Sequence, residues 1–258
     1  MYARPFRNWT RILLPLAFGA ALLAGWELLY RSSLYPPFIV PAPAEVGTRL
    51  LAVLQDGTLL RHTLTTLREV LLGLLLGVST AVVLGYLIAR STLLEQILTP
   101  YLVALQAVPV VAIAPLLVIW FGSGLTSKVL ICALTVFFPM LVNTIVGIRS
   151  VAPELHDLMR TLEATRWQTL RHLEAPAALP VLMGGLKVSA TLSVIGAVVG
   201  EFVSARAGLG FLVNSSRNIF DTPLMIVAVF TLSLLAMSLY GLVTLLERWL
   251  VAWQHRSR

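Results

Sequence analysis

Charge is scarce in this chain. Only 12% of its 258 residues are Asp, Glu, Lys or Arg, against about 25% in an average soluble domain, and 58% are hydrophobic. That balance excludes an ordinary water-soluble domain and points to a protein that crosses a membrane several times. Cysteine is nearly absent: Cys132 is the single one, so no intrachain disulfide can form and the redox compartment is left undetermined. No G-x-x-x-x-G-K-[ST] phosphate loop occurs, nor any Gly-Lys pair, so the chain is not expected to hydrolyse ATP. There is no H-E-x-x-H, and His62, His156, His172 and His255 all fall outside the long apolar runs. An intramembrane metalloprotease is therefore excluded, and no catalytic residue, metal site or cofactor site is expected in this chain. The formal charge of +7 raises nucleic acid as a partner, but no basic stripe with interleaved aromatics is present. The arginines stand instead at the ends of apolar runs, where membrane orientation uses them.

What is abundant is apolar sequence in lengths that match a bilayer, which takes about 20 residues per helix. The first run, Ile12 to Leu29, follows Arg4, Arg7 and Arg11. It is too long for a signal-peptide core and no small-x-small cleavage site follows, so a retained anchor is expected. Five more runs follow, at Val70 to Ala89, Leu98 to Trp120, Val129 to Ile148, Val181 to Val203 and Leu224 to Trp249. The reading is an all-α polytopic membrane protein with six transmembrane helices. With the N-terminus inside, eleven basic residues fall on the inner side and seven on the outer, which favours N-in and C-in. Between the first two spans, L-Y-P-P-F-I-V-P-A-P reads as an extended connector, and Ala44 to Leu54 as an interfacial helix. Residues 1–59 thus form an anchor with an external connector, and 60–258 the transmembrane domain.

One long segment carries charge. Pro153 to Pro180 reads P-E-L-H-D-L-M-R-T-L-E-A-T-R-W-Q-T-L-R-H-L-E-A-P-A-A-L-P. Leu155, Leu158, Met159 and Leu162 recur at i, i+3, i+4 and i+7, one stripe of an amphipathic helix. After Glu163-Ala164-Thr165 a second piece spaces Trp167, Leu170 and Leu173 three apart, and Pro176 is expected to end it. The pattern predicts helix, bend, helix outside the bilayer, with an apolar face free for a partner groove.

This spacing resembles the signature loop of ABC-importer permeases, E-A-A, three residues, Gly, nine residues, Ile, one residue, Leu-Pro. Asp157 takes the acidic position, Glu163 the glycine, Leu173 the isoleucine and Ala175-Pro176 the Leu-Pro pair, while Leu158 and Met159 replace two alanines. Glycine serves where a backbone must adopt conformations other residues resist, so Glu163 is a departure from the family at the bend itself. Further stretches resemble the nitrate, sulfonate, taurine and vitamin-precursor branch: H-T-L-T-T-L-R at His62 to Arg68, Tyr101 to Gly124, F-F-P-M-L-V-N-T at Phe137 to Thr144, and the Gly208-Leu209-Gly210 turn.

The resemblance implies a type I ABC-importer permease fold with cytoplasmic coupling helices, in the cell membrane. It implies that the segment from Asp157 to Pro176, with Leu162, Glu163, Ala164, Thr165, Arg166 and Trp167 at its bend, docks in a cleft of a cytoplasmic ATPase. That ATPase would hold ATP and Mg, an extracytoplasmic solute-binding protein would deliver the solute, and a second permease copy would complete the path. Within this branch the stretch Gly184 to Val203 looks most like members handling riboflavin or a thiamine precursor; sulfonate, taurine and nitrate are the alternatives. An ion-coupled secondary transporter is the rival of another class, with Glu27 and Glu201 as the carboxylates proposed for ion coupling.

For the solute path the candidates are Gln106, Pro109, Asn143 and Glu201. Pro109, Pro115 and Pro139 each remove a backbone donor within a span, which either lines a path or merely adjusts packing. Asn143 serves either a path or an interhelical hydrogen bond. Lys187 and Glu201 are expected to reach the interface from opposite ends of one span, with Glu201 near the outer mouth. Gly73, Gly77, Gly184, Gly185, Gly196 and Gly200 predict close helix packing.

Overall fold

The computed structural model describes residues 7–251, with side chains from residue 13. Arg4, His255, Arg256 and Arg258, and the side chains of Arg7 and Arg11, lie outside the described residues. Helices account for the fold, and no strand occurs among the described residues. Five are long and apolar enough to cross a bilayer: α1 (Arg7–Arg31), α3 (Thr58–Arg90), α6 (Leu125–Arg149), α9 (Ala175–Ser204) and α11 (Thr222–Leu250). The remaining expected span is not one helix. α4 (Thr92–Ala107) and α5 (Val110–Phe121) meet at a bend of 95° across Val108 and Pro109. Pro109 has no N–H to continue the ladder, and the residue before a proline is pushed out of the helical region; Val108 is extended at φ −79°, ψ 122°. Pro115 and Pro139, by contrast, lie inside unbroken helices.

The helices divide into two compact units. One comprises Met1–Leu60 with Leu212–Val229. Here α2 (Pro43–Gln55) forms where a helix was expected over Ala44 to Leu54, opened by a proline in its first turn and by the Glu45 carboxylate accepting from Ala42 N–H. Trp26 Nε1 donates to Pro41 O at 3.0 Å. Arg49 grips Asp221 through Nε at 3.0 Å and Nη2 at 2.6 Å, and Thr222 Oγ1 donates to Phe38 O. The Asp56 carboxylate accepts Thr58 N–H at the start of α3, which holds its pKa below the usual carboxylate range.

The second unit comprises Arg61–Phe211 with Phe230–Arg258, and its centre is the packing of α6 on α9. Ile131, Val136, Ala190 and Ala197 are buried along this contact. Small residues let the helices approach. A Cβ on Gly77 of α3 would stand 2.6 Å from Ala133 O, and one on Gly196 of α9 would stand 2.8 Å from Cys132 Cα, both on α6. The small-residue positions therefore serve packing within the chain, with Gly184 the open exception. Cys132 is buried there, its Sγ 3.2 Å from Ser193 O.

The charged segment folds as α7 (Pro153–Thr161), a turn, α8 (Arg166–Thr169) and a π turn over Leu170–Glu174 that runs straight into α9. The sequence pattern predicted that Pro176 ends the second helical piece; instead the helix continues through this proline. It falls in the first turn of α9, and the wider π turn before it absorbs the missing donor and the ring, a distortion that often marks functional sites. The Gly208-Leu209-Gly210 stretch leads into a short helix, α10 (Leu209–Asn218), instead of a bare turn.

Candidate functional site

At the elbow, α7 presents its apolar stripe to the outside: Leu155 is 45% exposed, Leu158 52%, and Leu162 beyond its end 66%. Across the turn Trp167 is 66% exposed. Apolar surface of this size at the end of a charged segment suits a partner groove. Asp157 holds Arg160 at 3.1 Å on the polar side.

The bend is set by Glu163, whose φ is +50°. Ala164 N–H donates to Met159 O and Glu163 N–H to Arg160 O, both at 2.9 Å. These are the two bonds of a Schellman ending, which requires a left-handed residue where Glu163 stands. The glycine position of the family pattern therefore keeps its geometry here, with a glutamate in it. Thr165 then caps α8: its hydroxyl accepts Gln168 N–H at 3.3 Å while Gln168 Oε1 accepts Thr165 N–H at 2.7 Å. Arg166 is exposed, and Pro176 is half-buried.

A polar cavity of about 820 Å³ opens beside the elbow, lined among others by Tyr86, Arg90, His156, Arg160 and Arg166. Close by, Glu174 is fully buried, with Arg90 Nη1 at 3.2 Å and His156 Nδ1 at 3.9 Å.

The path candidates separate. Gln106 and Pro109 are exposed at the bend between α4 and α5. Asn143 is half-buried on α6, its Nδ2 donating to Pro139 O at 2.8 Å within its own helix. Glu201 is buried, not snorkelling. Thr66 Oγ1 donates to its Oε1 at 2.6 Å, and Gly210 N–H donates to its Oε2. Thr66 also accepts Leu209 N–H at 2.8 Å, and His62 Nδ1 accepts Gly208 N–H at 2.9 Å. Glu69 lies against Glu201 and pairs with Lys128 at 3.5 Å. This buried group pins the start of α10 to α3 and α9. Lys187 pairs with Glu247 of α11 and lies over the Tyr240 ring.

Sequence reasoning did not find Glu69, Lys128, Arg90 or Glu174. Glu69 was the recoverable one, an ionisable residue directly before an apolar run. Another cavity, about 580 Å³, is apolar and lies among α5, α9 and α11, lined by Val111, Thr191, Ile195, Phe202 and Leu232 among others.

A helical membrane body carrying an amphipathic elbow, with Leu155, Leu158 and Leu162 exposed along one stripe, is the build of a transport permease. The chain belongs to the family of binding-protein-dependent transport system inner membrane components, which residues 73–252 match, and it is an ABC-importer permease. It is 50% identical over 247 residues to the riboflavin transport system permease protein RibX of Chloroflexus aurantiacus, covering 96% of this chain and 92% of that one. The formylaminopyrimidine transport permease protein ThiX of Halalkalibacterium halodurans is 34% identical, covering 94% and 96%. The taurine transport system permease protein TauC of Escherichia coli is 29% identical, covering 94% and 90%. Among solved structures, an amino acid ABC transporter crystallised with histidines superposes with a TM-score of 0.62 at 19% identity, covering 77% of this chain and 97% of that one. That likeness establishes the fold. Family membership sets aside the ion-coupled secondary transporter.

Proposed function

We propose that this permease imports riboflavin or a closely related vitamin precursor, as half of a homodimer whose solute path runs between the two copies. The observation that carries the solute is the 50% identity to a riboflavin permease across 96% of the chain. The apolar cavity bordered by Phe202, Ile195 and Thr191 supports it, since such a lining suits a planar, partly apolar solute better than a small anion.

The elbow faces the cytoplasm, with both termini on the same side, in keeping with the distribution of basic residues. The exposed stripe of Leu155, Leu158 and Leu162, with Trp167, docks in a cytoplasmic ATPase, which holds the ATP and Mg. A binding protein delivers solute from the other side. When the ATPase pair closes, the elbow is displaced and α9 carries that displacement into the membrane.

Uptake in a riboflavin-requiring strain, with and without this chain, tests the solute, with labelled taurine as comparison. Riboflavin uptake that stops on ATP depletion and survives an ionophore is the expected result. Taurine uptake without riboflavin uptake overturns the assignment.

A further inference from the structure

Glu174 is the most deeply buried charged side chain near the elbow, with no exposed surface. Neither of its carboxylate oxygens has a hydrogen-bond partner. Arg90 Nη1 stands 3.2 Å from Oε1, within ion-pair distance yet outside hydrogen-bond alignment, and His156 Nδ1 stands 3.9 Å from the same oxygen. As a device for stability this is poor. A buried carboxylate loses its hydration, and attraction repays the loss only when geometry is good and the remaining lone pairs are satisfied.

The three residues belong to three elements that transport must move. Arg90 is the last residue of α3, His156 lies on α7, and Glu174 closes the π turn from which α9 begins. Arg90 faces Oε1 at ion-pair distance without hydrogen-bond alignment, and charge attraction falls gradually with distance where a hydrogen bond fails within a few tenths of an ångström. Arg90 and His156 both line the cavity of about 820 Å³, so each has room to shift against a carboxylate that is fixed. The π turn gives the backbone at Glu174 a local departure from α geometry.

We propose that Glu174 is a positioning residue for coupling: an ionic pivot through which displacement of α7 passes to the end of α3 and the start of α9. This rests on the reading of the elbow as the ATPase dock. The pivot keeps the three ends associated while α7 slides, because His156 can approach or leave Oε1 while Arg90 stays engaged. Without the charge, α7 moves and α3 does not follow.

The test uses the complete importer, with its ATPase and binding protein, reconstituted in liposomes. Two readouts are taken: the stimulation of ATP hydrolysis by loaded binding protein, and riboflavin transported per ATP hydrolysed. Wild-type complex is measured first. If it shows no ATP-driven uptake of riboflavin and no stimulation, the proposed function fails, and this is seen before any variant is made. With a coupled wild type, Glu174→Gln, which keeps the shape and removes the charge, is expected to assemble and to lose about tenfold in stimulation. Glu174→Asp, which keeps the charge, is expected to retain most of it; a purely steric role would give the opposite order. Wild-type stimulation and stoichiometry in assembled Glu174→Gln overturn the proposal. If Glu174→Gln does not assemble, Arg90→Gln decides, since that side chain is 36% exposed: reduced stimulation supports the pivot and unchanged stimulation overturns it.

Discussion

At φ +50° the backbone of Glu163 sits where a Cβ crowds the neighbouring carbonyl, at a cost on the order of 1 kcal/mol. The two bonds that end α7 keep it there. Glu163→Gly is therefore expected to stabilise the elbow by about 1 kcal/mol without moving Trp167, and a β-branched Glu163→Val to destabilise it; thermal unfolding of the purified permease in detergent measures both. Thr66 makes the opposite case, a residue whose loss orphans two partners at once. Thr66→Val leaves Glu201 Oε1 and Leu209 N–H without their hydroxyl partner, and the expected destabilisation is on the order of 2 kcal/mol. The conservative Thr66→Ser keeps the oxygen and should recover most of it in the same assay.

At the scale of helices the contacts are close enough that single methyl groups decide them. Gly77→Ala forces its Cβ to within 2.6 Å of Ala133 O, so α3 or α6 must shift, and the expected cost is about 1–3 kcal/mol. Gly241→Ala on α11 meets nothing within 4 Å and should be neutral or slightly stabilising, a control for helix propensity in the same unfolding measurement. The same contrast explains what could be read from the sequence. A long apolar run has one inexpensive solution in a bilayer, so α3, α6, α9 and α11 were legible, as was the stripe on α7. The 95° bend at Val108 and Pro109 was visible only as a proline, since whether a proline kinks, breaks or merely perturbs a helix depends on what re-satisfies the freed groups. The π turn over Leu170–Glu174 had no signal of its own. The buried charge groups were hidden for a different reason: Thr66 and Glu201 stand 135 residues apart, and no local pattern encodes which distant partner a side chain finds.

For the whole molecule the proposed orientation makes one decisive measurement available. Cys132 is buried and is the single cysteine, so a His172→Cys variant adds one exposed thiol against a quiet background. A membrane-impermeant maleimide is expected to label it in inside-out vesicles and not in intact cells. Labelling in intact cells would place the elbow where no cytoplasmic ATPase can reach.

Because the π turn joins α8 to α9 without a gap, the helical run from Arg166 to Ser204 is continuous over 39 residues, about 58 Å at 1.5 Å per residue. A rod of that length swung by about 5° around its midpoint carries each tip through about 2.5 Å. The tip at Ser204 is three residues from the carboxylate that holds the start of α10. Movement of α8 would therefore travel along this backbone toward Glu201, while the pivot at Glu174 ties α7 and α3 to it.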